Sequence, residues 1–89
     1  MRESVIEKKV GDYAKLLGWL AYKFSSPQNS GVPDHIYFRE GRTILIEFKA
    51  PNKKPSKLQL KHIERLEEQL IPVYVVDSVE TGKDIFNAY

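Results

Sequence analysis

The fold of this 89-residue chain is decided by the stretch TILIEFK, residues 43–49. In a β-strand successive side chains point to opposite faces, so Ile44, Ile46 and Phe48 share one face while Glu47 and Lys49 share the other. The stretch therefore predicts a strand that ends in a charged pair. Burying a glutamate on so hydrophobic a strand costs several kcal/mol unless a cation or hydrogen-bond donors compensate it.

A second carboxylate is predicted at the same end of this strand. The segment GVPD, residues 31–34, precedes an apolar strand at residues 35–39, and residues 40–42 can close a tight connection to the TILIEFK strand. The antiparallel pair brings Asp34 beside Glu47. A divalent metal shared by the two carboxylates would compensate the buried charge.

Each of these residues also has a plain structural interpretation. Asp34 alone could be a turn aspartate, a use that suits its short side chain. Glu47 could form a simple salt bridge with Lys49 on the same face. The three residues together favour a functional site.

Length and composition indicate one globular domain, residues 1–89. Hydrophobic residues make up 42% and charged residues 29% of the chain, and no segment is apolar enough to span a bilayer. Charges interrupt the first nine residues and cysteine is absent, so we expect a cytoplasmic protein with no membrane segment and no disulfide or zinc–thiolate site. The net charge of +2 is too small to indicate nucleic acid by itself.

The order of predicted elements is α-β-β-β-α-β-α, which suits a three-layer α/β fold with a central mixed four-stranded sheet. The fourth strand is uniformly apolar and is expected to be buried on both faces. Gly18 is expected to end the first helix. The predicted helices span residues 4–18, 56–70 and 79–88, and the predicted strands span residues 19–24, 35–39, 43–49 and 73–76.

The GVPD segment and the Glu47-Phe48-Lys49 segment, in this order along the chain, resemble the PD-(D/E)xK nuclease superfamily, and within it the VRR-NUC family of virus-type replication-repair nucleases. The resemblance implies a restriction-endonuclease-like α-β-α core and a metal-dependent endonuclease. It extends over nearly the whole chain and is carried by Arg2-Glu3-Ser4, Ile6-Glu7, Tyr22-Lys23-Phe24, Ser26-Pro27, Gly31-Val32-Pro33-Asp34, Glu47-Phe48-Lys49-Ala50-Pro51 and Gln59.

The resemblance also implies roles for the charged residues. Asp34 and Glu47 would be direct ligands of Mg²⁺ or Mn²⁺, and the backbone carbonyl of Phe48 would be a further ligand. Lys49 would orient or deprotonate the attacking water and stabilise the developing charge. Glu7 would be an additional acidic residue that reaches the metal directly or through water.

Glu7 and Gln59 have a competing structural interpretation. Ser4-x-x-Glu7 and Ser56-x-x-Gln59 both match a capping box. For Glu7 the two interpretations stay level. Gln59 continues the apolar stripe of Ile63, Leu66 and Leu70, which favours a site-facing, catalytic role.

A lysine cluster follows the TILIEFK strand and is predicted to hold DNA phosphates. It comprises Lys53, Lys54, Lys57 and Lys61, with Lys54, Lys57 and Lys61 aligned if the helix begins early. Lys23 and Lys9 could extend it, and a solvated helix face is the alternative.

His35 could contact phosphate or form strand surface. A metal-ligand role is disfavoured because its side chain should alternate away from that of Asp34.

The resemblance to single-domain phage or prophage members implies a structure-selective DNA endonuclease that leaves a 5′-phosphate and acts in a bacterial or phage-infected cell. Four-way (Holliday) junctions are the expected substrate and a homodimer the expected state. The alternatives are a non-catalytic nucleic-acid-binding module and a restriction-type nuclease on linear duplex.

Five aromatic residues suggest more apolar area than one core needs, consistent with a dimer: Trp19, Tyr22, Tyr37, Phe86 and Tyr89.

Overall fold

A computed structural model describes all 89 residues and places the seven predicted elements in the predicted order. None of the three helices is both long and apolar enough to cross a membrane. The elements are α1 (Glu3–Leu16), β1 (Leu20–Lys23), β2 (His35–Arg39), β3 (Arg42–Phe48), α2 (Lys57–Glu68), β4 (Val73–Val76) and α3 (Val79–Asn87).

The four strands form one mixed sheet in the order β1-β2-β3-β4. The first three strands are antiparallel neighbours, and β4 runs parallel to β3. Glu40 and Gly41 join β2 to β3 with φ angles of 49° and 81°, as a two-residue type I′ turn requires. This turn sets the register that carries Asp34 towards Glu47.

One face of the sheet is covered by α1 and α3, which pack against each other. The buried face of α1 consists of Ile6, Val10 and Ala14. On the sheet side, Ile44, Ile46 and Phe48 are buried, as strand alternation predicted. Gly18, with a φ of 92°, ends α1 in the left-handed conformation, as predicted.

The opposite face is covered only in part, because α2 approaches the sheet closely only at β4. Ile63 is the one buried residue of α2, and Leu45 is buried apart from the main core. The expected flanking of the sheet by helices is confirmed, but the face over β1 and β2 stays open.

Three packing predictions were wrong, the third of them only in part. β4 is an edge strand, so Val75 remains 38% exposed instead of lying between two covered faces. Leu70 lies beyond the end of α2 with a positive φ and is 88% exposed, so it adds nothing to the apolar stripe. The expected surplus of aromatic area is wrong for Trp19, Tyr37 and Phe86, which are core residues, whereas Tyr22 is 58% exposed.

Gly82 of α3 allows the two packed helices to approach each other. A Cβ at Gly82 would lie 2.5 Å from Cγ2 of Val10, whereas a Cβ at Gly11 of α1 would meet only the Tyr37 hydroxyl at 4.0 Å. We expect Gly82→Ala to lower the unfolding free energy by about 1–3 kcal/mol through overpacking. Gly11→Ala, its matched control, should raise it by about 0.5–1 kcal/mol. Denaturant unfolding measures both, and stabilisation by Gly82→Ala would contradict this account of the α1–α3 contact.

Candidate active site

The ends of three strands bring Asp34 and Glu47 to one place. His35 pairs with Ile46 in the β2–β3 ladder, and continuing that register by one residue sets Asp34 opposite Glu47. The backbone carbonyl of Asp34 accepts a hydrogen bond of 3.0 Å from the amide of Phe24, directly after β1. The position of Asp34 is therefore set by β1 and β2, and that of Glu47 by β3.

Lys49 and Glu47 are both largely withdrawn from water. Their side chains are 18% and 14% exposed, and Lys49 Nζ lies 4.0 Å from Glu47 Oε2. The Lys49 amide donates a hydrogen bond of 2.9 Å to the Val76 carbonyl. This hydrogen bond to β4 fixes the backbone of Lys49 just after β3, so that its side chain lies beside that of Glu47.

α1 adds acidic residues to this region from the other side of the sheet. The helix begins at Glu3, its N-cap is Arg2 and no side chain caps it, so the proposed capping box of Ser4 and Glu7 is wrong. The Glu7 side chain is 24% exposed, and its Oε2 lies 3.9 Å from His35 Nε2. Glu7 therefore points towards the strand ends rather than to the start of its own helix.

Burial and acidic neighbours raise the pKa of two of these carboxyls, Glu47 and Glu3. Burial raises the pKa of Glu47 to about 7; Lys49 opposes this effect, while Asp34, Glu3 and Glu7 add to it. Burial and Glu7 also raise the pKa of Glu3. The strand ends thus hold a concentration of negative charge that one lysine offsets only in part.

His35 connects the two groups of acids. Its Nδ1 lies 2.8 Å from Asp34 Oδ1, although that buried nitrogen makes no well-oriented hydrogen bond. The imidazole meets the ring of Phe48 edge-on, with centroids 4.9 Å apart. The prediction that His35 would turn away from Asp34 was therefore too simple, because the ring still reaches the carboxylate of the preceding residue.

Residue-level reasoning did not single out Glu3 as a member of this cluster. Glu3 and Glu7 are four residues apart and hence neighbours on α1. That spacing was the available signal for Glu3 in the sequence.

Gln59 lies at the start of α2 and makes the capping box that its sequence suggests. Its Oε1 accepts a hydrogen bond of 2.8 Å from the Ser56 amide, and its own amide donates to Ser56 Oγ at 3.2 Å. The start of α2 also packs on Gly31, where a Cβ would approach Leu58 Cγ to 3.1 Å. Gln59 therefore lies beside the GVPD segment, with its side-chain oxygen engaged in the cap.

The predicted phosphate-binding lysines occupy an exposed border next to this segment. Lys53 and Lys54 lie in the loop before α2, and Lys57 and Lys61 lie one turn apart on α2. Lys54 precedes the helix, so the predicted helical alignment of three lysines is wrong. Lys23, at the end of β1, lines a cavity of about 280 Å³ together with Glu7 and His35.

Comparison with known proteins shows the family to which the chain belongs. Residues 3–80 match the VRR-NUC domain family. The chain belongs to the VRR-NUC family. A relative named "Putative nuclease p44", from Acyrthosiphon pisum secondary endosymbiont phage 1, is 40% identical over 79 residues, covering 88% of this chain and 85% of the relative. A solved structure described as "VRR_NUC domain" superposes with a TM-score of 0.88 at 29% identity, over 98% of this chain and 96% of that structure.

The raised pKa of Glu47 predicts how the stability of this VRR-NUC domain changes with pH. Without divalent ions, Glu47 has a pKa of about 7 in the folded state and an ordinary value of 4.5 when unfolded. Between these values the folded state holds a proton that the unfolded state has lost, so the unfolding free energy should fall as pH rises. The expected fall is about 1–2 kcal/mol, less than the full change in pKa implies, because water still reaches the carboxyl.

Denaturant unfolding in EDTA across this pH range tests the expectation. Glu47→Gln should flatten the dependence, and Glu64→Gln, a change at an exposed α2 residue, should leave it intact. A wild-type profile that rises from pH 4.5 to 7 would contradict the assignment.

Proposed function

We propose that this VRR-NUC domain is a metal-dependent DNA endonuclease that hydrolyses a phosphodiester bond and leaves a 5′-phosphate. The observation that carries the proposal is the largely buried carboxyl of Glu47, which the β2–β3 register sets opposite Asp34 and which lies 4.0 Å from Lys49 Nζ. Burial raises its pKa to about 7, and Asp34, Glu3 and Glu7 add to this effect while Lys49 opposes it. Such a cluster favours the binding of a cation.

The residues present fit Mg²⁺ or Mn²⁺. No group of three or more His, Asp or Glu side chains is arranged to hold a metal by itself. Mg²⁺ usually takes only one or two protein carboxylates and completes its shell with waters and substrate phosphates, which suits Asp34 and Glu47. The Phe48 carbonyl would add one ligand, and Glu7 would act directly or through water. When bound, the ion would supply a positive charge that stabilises the transition state and makes water more acidic.

The protein's own contribution centres on Lys49. Its ammonium group lies next to Glu47, within reach of a water or phosphate oxygen placed at the same carboxylate. It would orient the attacking water and stabilise the negative charge that develops on the phosphate. Gln59 is proposed as a further catalytic residue because it lies beside the GVPD segment. The capping box with Ser56 holds it there, at the N-terminus of α2.

The exposed lysines would hold the DNA backbone. Because each phosphate contact releases condensed counterions, neutralising Lys53, Lys54 and Lys57 together should reduce the slope of log Kd against log salt by about 2–3. Lys83→Ala, on the far side of the sheet in α3, serves as the control and should leave the slope unchanged. Fluorescence anisotropy over a salt series in EDTA measures both, and an unchanged slope for the triple variant would leave these lysines without a phosphate-binding role. Lys61, Lys23 and His35 are secondary candidates for phosphate contacts. The His35 side chain is only 16% exposed.

Branched DNA such as a four-way junction is the proposed substrate, and a homodimer the proposed working state. One chain carries one candidate site, and resolving a junction takes two cuts in strands related by approximate two-fold symmetry. Light scattering, combined with junction cleavage by mixtures of wild-type and Glu47→Gln chains, tests the dimer. Two cuts by a monomer would refute it.

A panel of four-way junctions, flapped DNA and linear duplex, each with Mg²⁺, Mn²⁺ or EDTA, tests the function as a whole. We expect metal-dependent cleavage of branched DNA that leaves a 5′-phosphate. Binding without cleavage would identify a non-catalytic module, and sequence-specific cutting of linear duplex alone would identify a restriction-type enzyme. Cleavage in EDTA would rule out the metal-dependent mechanism.

A further inference from the structure

The face of the sheet that carries Glu47 has an exposed aromatic pair where α2 leaves it open. Tyr22 of β1 is 58% exposed and Phe38 of β2 is 36% exposed. Their ring centroids lie 6.2 Å apart, and Leu20 beside them is 58% exposed. Strands usually direct such side chains against another layer. In this domain they face solvent.

The register of the sheet places this pair beside the candidate active site. Tyr22 is the partner of Ile36, and Ile36 is the partner of Leu45, which lies two residues before Glu47 on the same face. Along β2, Ile36 and Phe38 lie about 7 Å and 13 Å from Asp34 at the usual rise per residue. A DNA strand whose phosphate lay at Asp34 would carry its neighbouring nucleotides over Tyr22 and Phe38.

We propose that Tyr22 and Phe38 form a stacking platform for unpaired bases next to the phosphate that is cut. The inference rests on the proposed nuclease function and specifies its substrate: branched DNA with unpaired nucleotides beside the cleavage position, either in a flap or at a junction whose base pairs have opened. In an intact duplex the faces of the bases are stacked on one another, so the outer surface offers phosphates and sugars and no base face on which Tyr22 or Phe38 could stack. Unpaired bases expose the π-faces that aromatic side chains bind, largely without regard to sequence.

The lysines on the α2 side of the candidate active site support a single DNA strand as the occupant of the platform. The lysine border begins at Lys53 and continues onto α2, whose start packs against Gly31, three residues before Asp34. The backbone of a strand could thus follow the lysines while its bases lie over the open sheet. A second copy of the chain seated on this face would cover Asp34 and Glu47 as well, and would keep DNA away from them.

Binding in EDTA tests the platform without requiring cleavage. The probes are a dye-labelled duplex with a short single-stranded flap and the same duplex without the flap. Tyr22→Leu and Phe38→Leu keep an apolar side chain but remove the ring, and Leu16→Ala removes an apolar side chain that is 80% exposed on α1. We expect each ring deletion to weaken the Kd for flapped DNA about 5- to 100-fold, with little change for the duplex. Leu16→Ala should match wild type.

A fluorescent base analogue in the flap gives a second measurement, because stacking on a ring quenches it. We expect quenching by wild-type protein and its loss in both ring variants. Unchanged Kd values together with unchanged quenching would overturn the inference. So would ring variants whose main effect is a lower molar mass in light scattering, since the face would then be an interface between copies. Absence of cleavage on every substrate, with the flap still bound through Tyr22 and Phe38, would instead refute the proposed nuclease function alone.

Discussion

Glu47→Gln is expected to abolish cleavage while leaving the fold intact. The substitution keeps the size of the side chain but removes the charge that would hold a divalent ion beside the phosphate. Loss of one strong electrostatic contribution typically costs about 10²–10³-fold in rate, and loss of the ion itself should cost more. The fold should survive because ionising this half-buried carboxyl destabilises the domain, as its raised pKa indicates.

Single-turnover cleavage of a four-way junction with Mg²⁺ or Mn²⁺ is the measurement. Asp34→Asn should behave in the same way, because Asp34 is the opposing carboxylate. Glu64→Gln removes an acidic charge from the exposed surface of α2 and should cut at the wild-type rate. A folded Glu47→Gln variant that cleaves as fast as wild type would show that the site has been misassigned.

Lys49→Ala is expected to reduce the single-turnover rate by about 10²–10³-fold with little change in Kd for DNA. The ammonium group lies 4.0 Å from the Glu47 carboxylate and would contribute most when negative charge develops on the phosphate. An interaction made only in the transition state lowers the rate without weakening substrate binding.

The pH of this comparison matters because Lys49 also lowers the pKa of Glu47. Rates should be measured well above pH 7, where Glu47 is ionised both with and without the lysine. Lys83→Ala controls for the loss of a lysine elsewhere. Weaker binding with an unchanged rate at saturating enzyme would place Lys49 among the phosphate-binding lysines instead.

Strand alternation explains why the central part of the site could be predicted from the sequence. The period of two in TILIEFK puts Glu47 on one face of β3 and the buried Ile46 and Phe48 on the other. The two-residue turn leaves little freedom in how β2 and β3 pair. The site residues on these strands therefore followed from local pattern alone. For Gln59 the same local pattern predicted the capping box with Ser56, which forms, whereas the catalytic role that the apolar stripe favoured stays a prediction.

The contributions of α1 could not be predicted in the same way. Which side chains of a helix reach the end of a sheet depends on how the helix lies across the strands, and that depends on packing such as the close approach of Gly82 to Val10. Glu3 was missed for this reason. The possible capping box at Ser4 does not form because the N-cap is Arg2, two residues earlier.

The incomplete cover of the sheet is likewise a property of three-dimensional packing. Periodicity showed that α2 has an apolar stripe, but not that the helix approaches only β4. Tyr22 and Phe38 look like ordinary strand residues in the sequence, and their exposure became visible only when the position of α2 was known.

Binding of Mn²⁺ in the absence of DNA tests the central claim most directly, and it can be followed by the loss of the electron paramagnetic resonance signal of free Mn²⁺. Above pH 7, where Glu47 is ionised, the wild-type domain should bind the ion. Glu47→Gln and Asp34→Asn should bind it far more weakly, and Glu64→Gln should bind it as wild type does. Equal Mn²⁺ affinity in wild type and a folded Glu47→Gln variant would contradict the assignment of the metal to these two carboxylates.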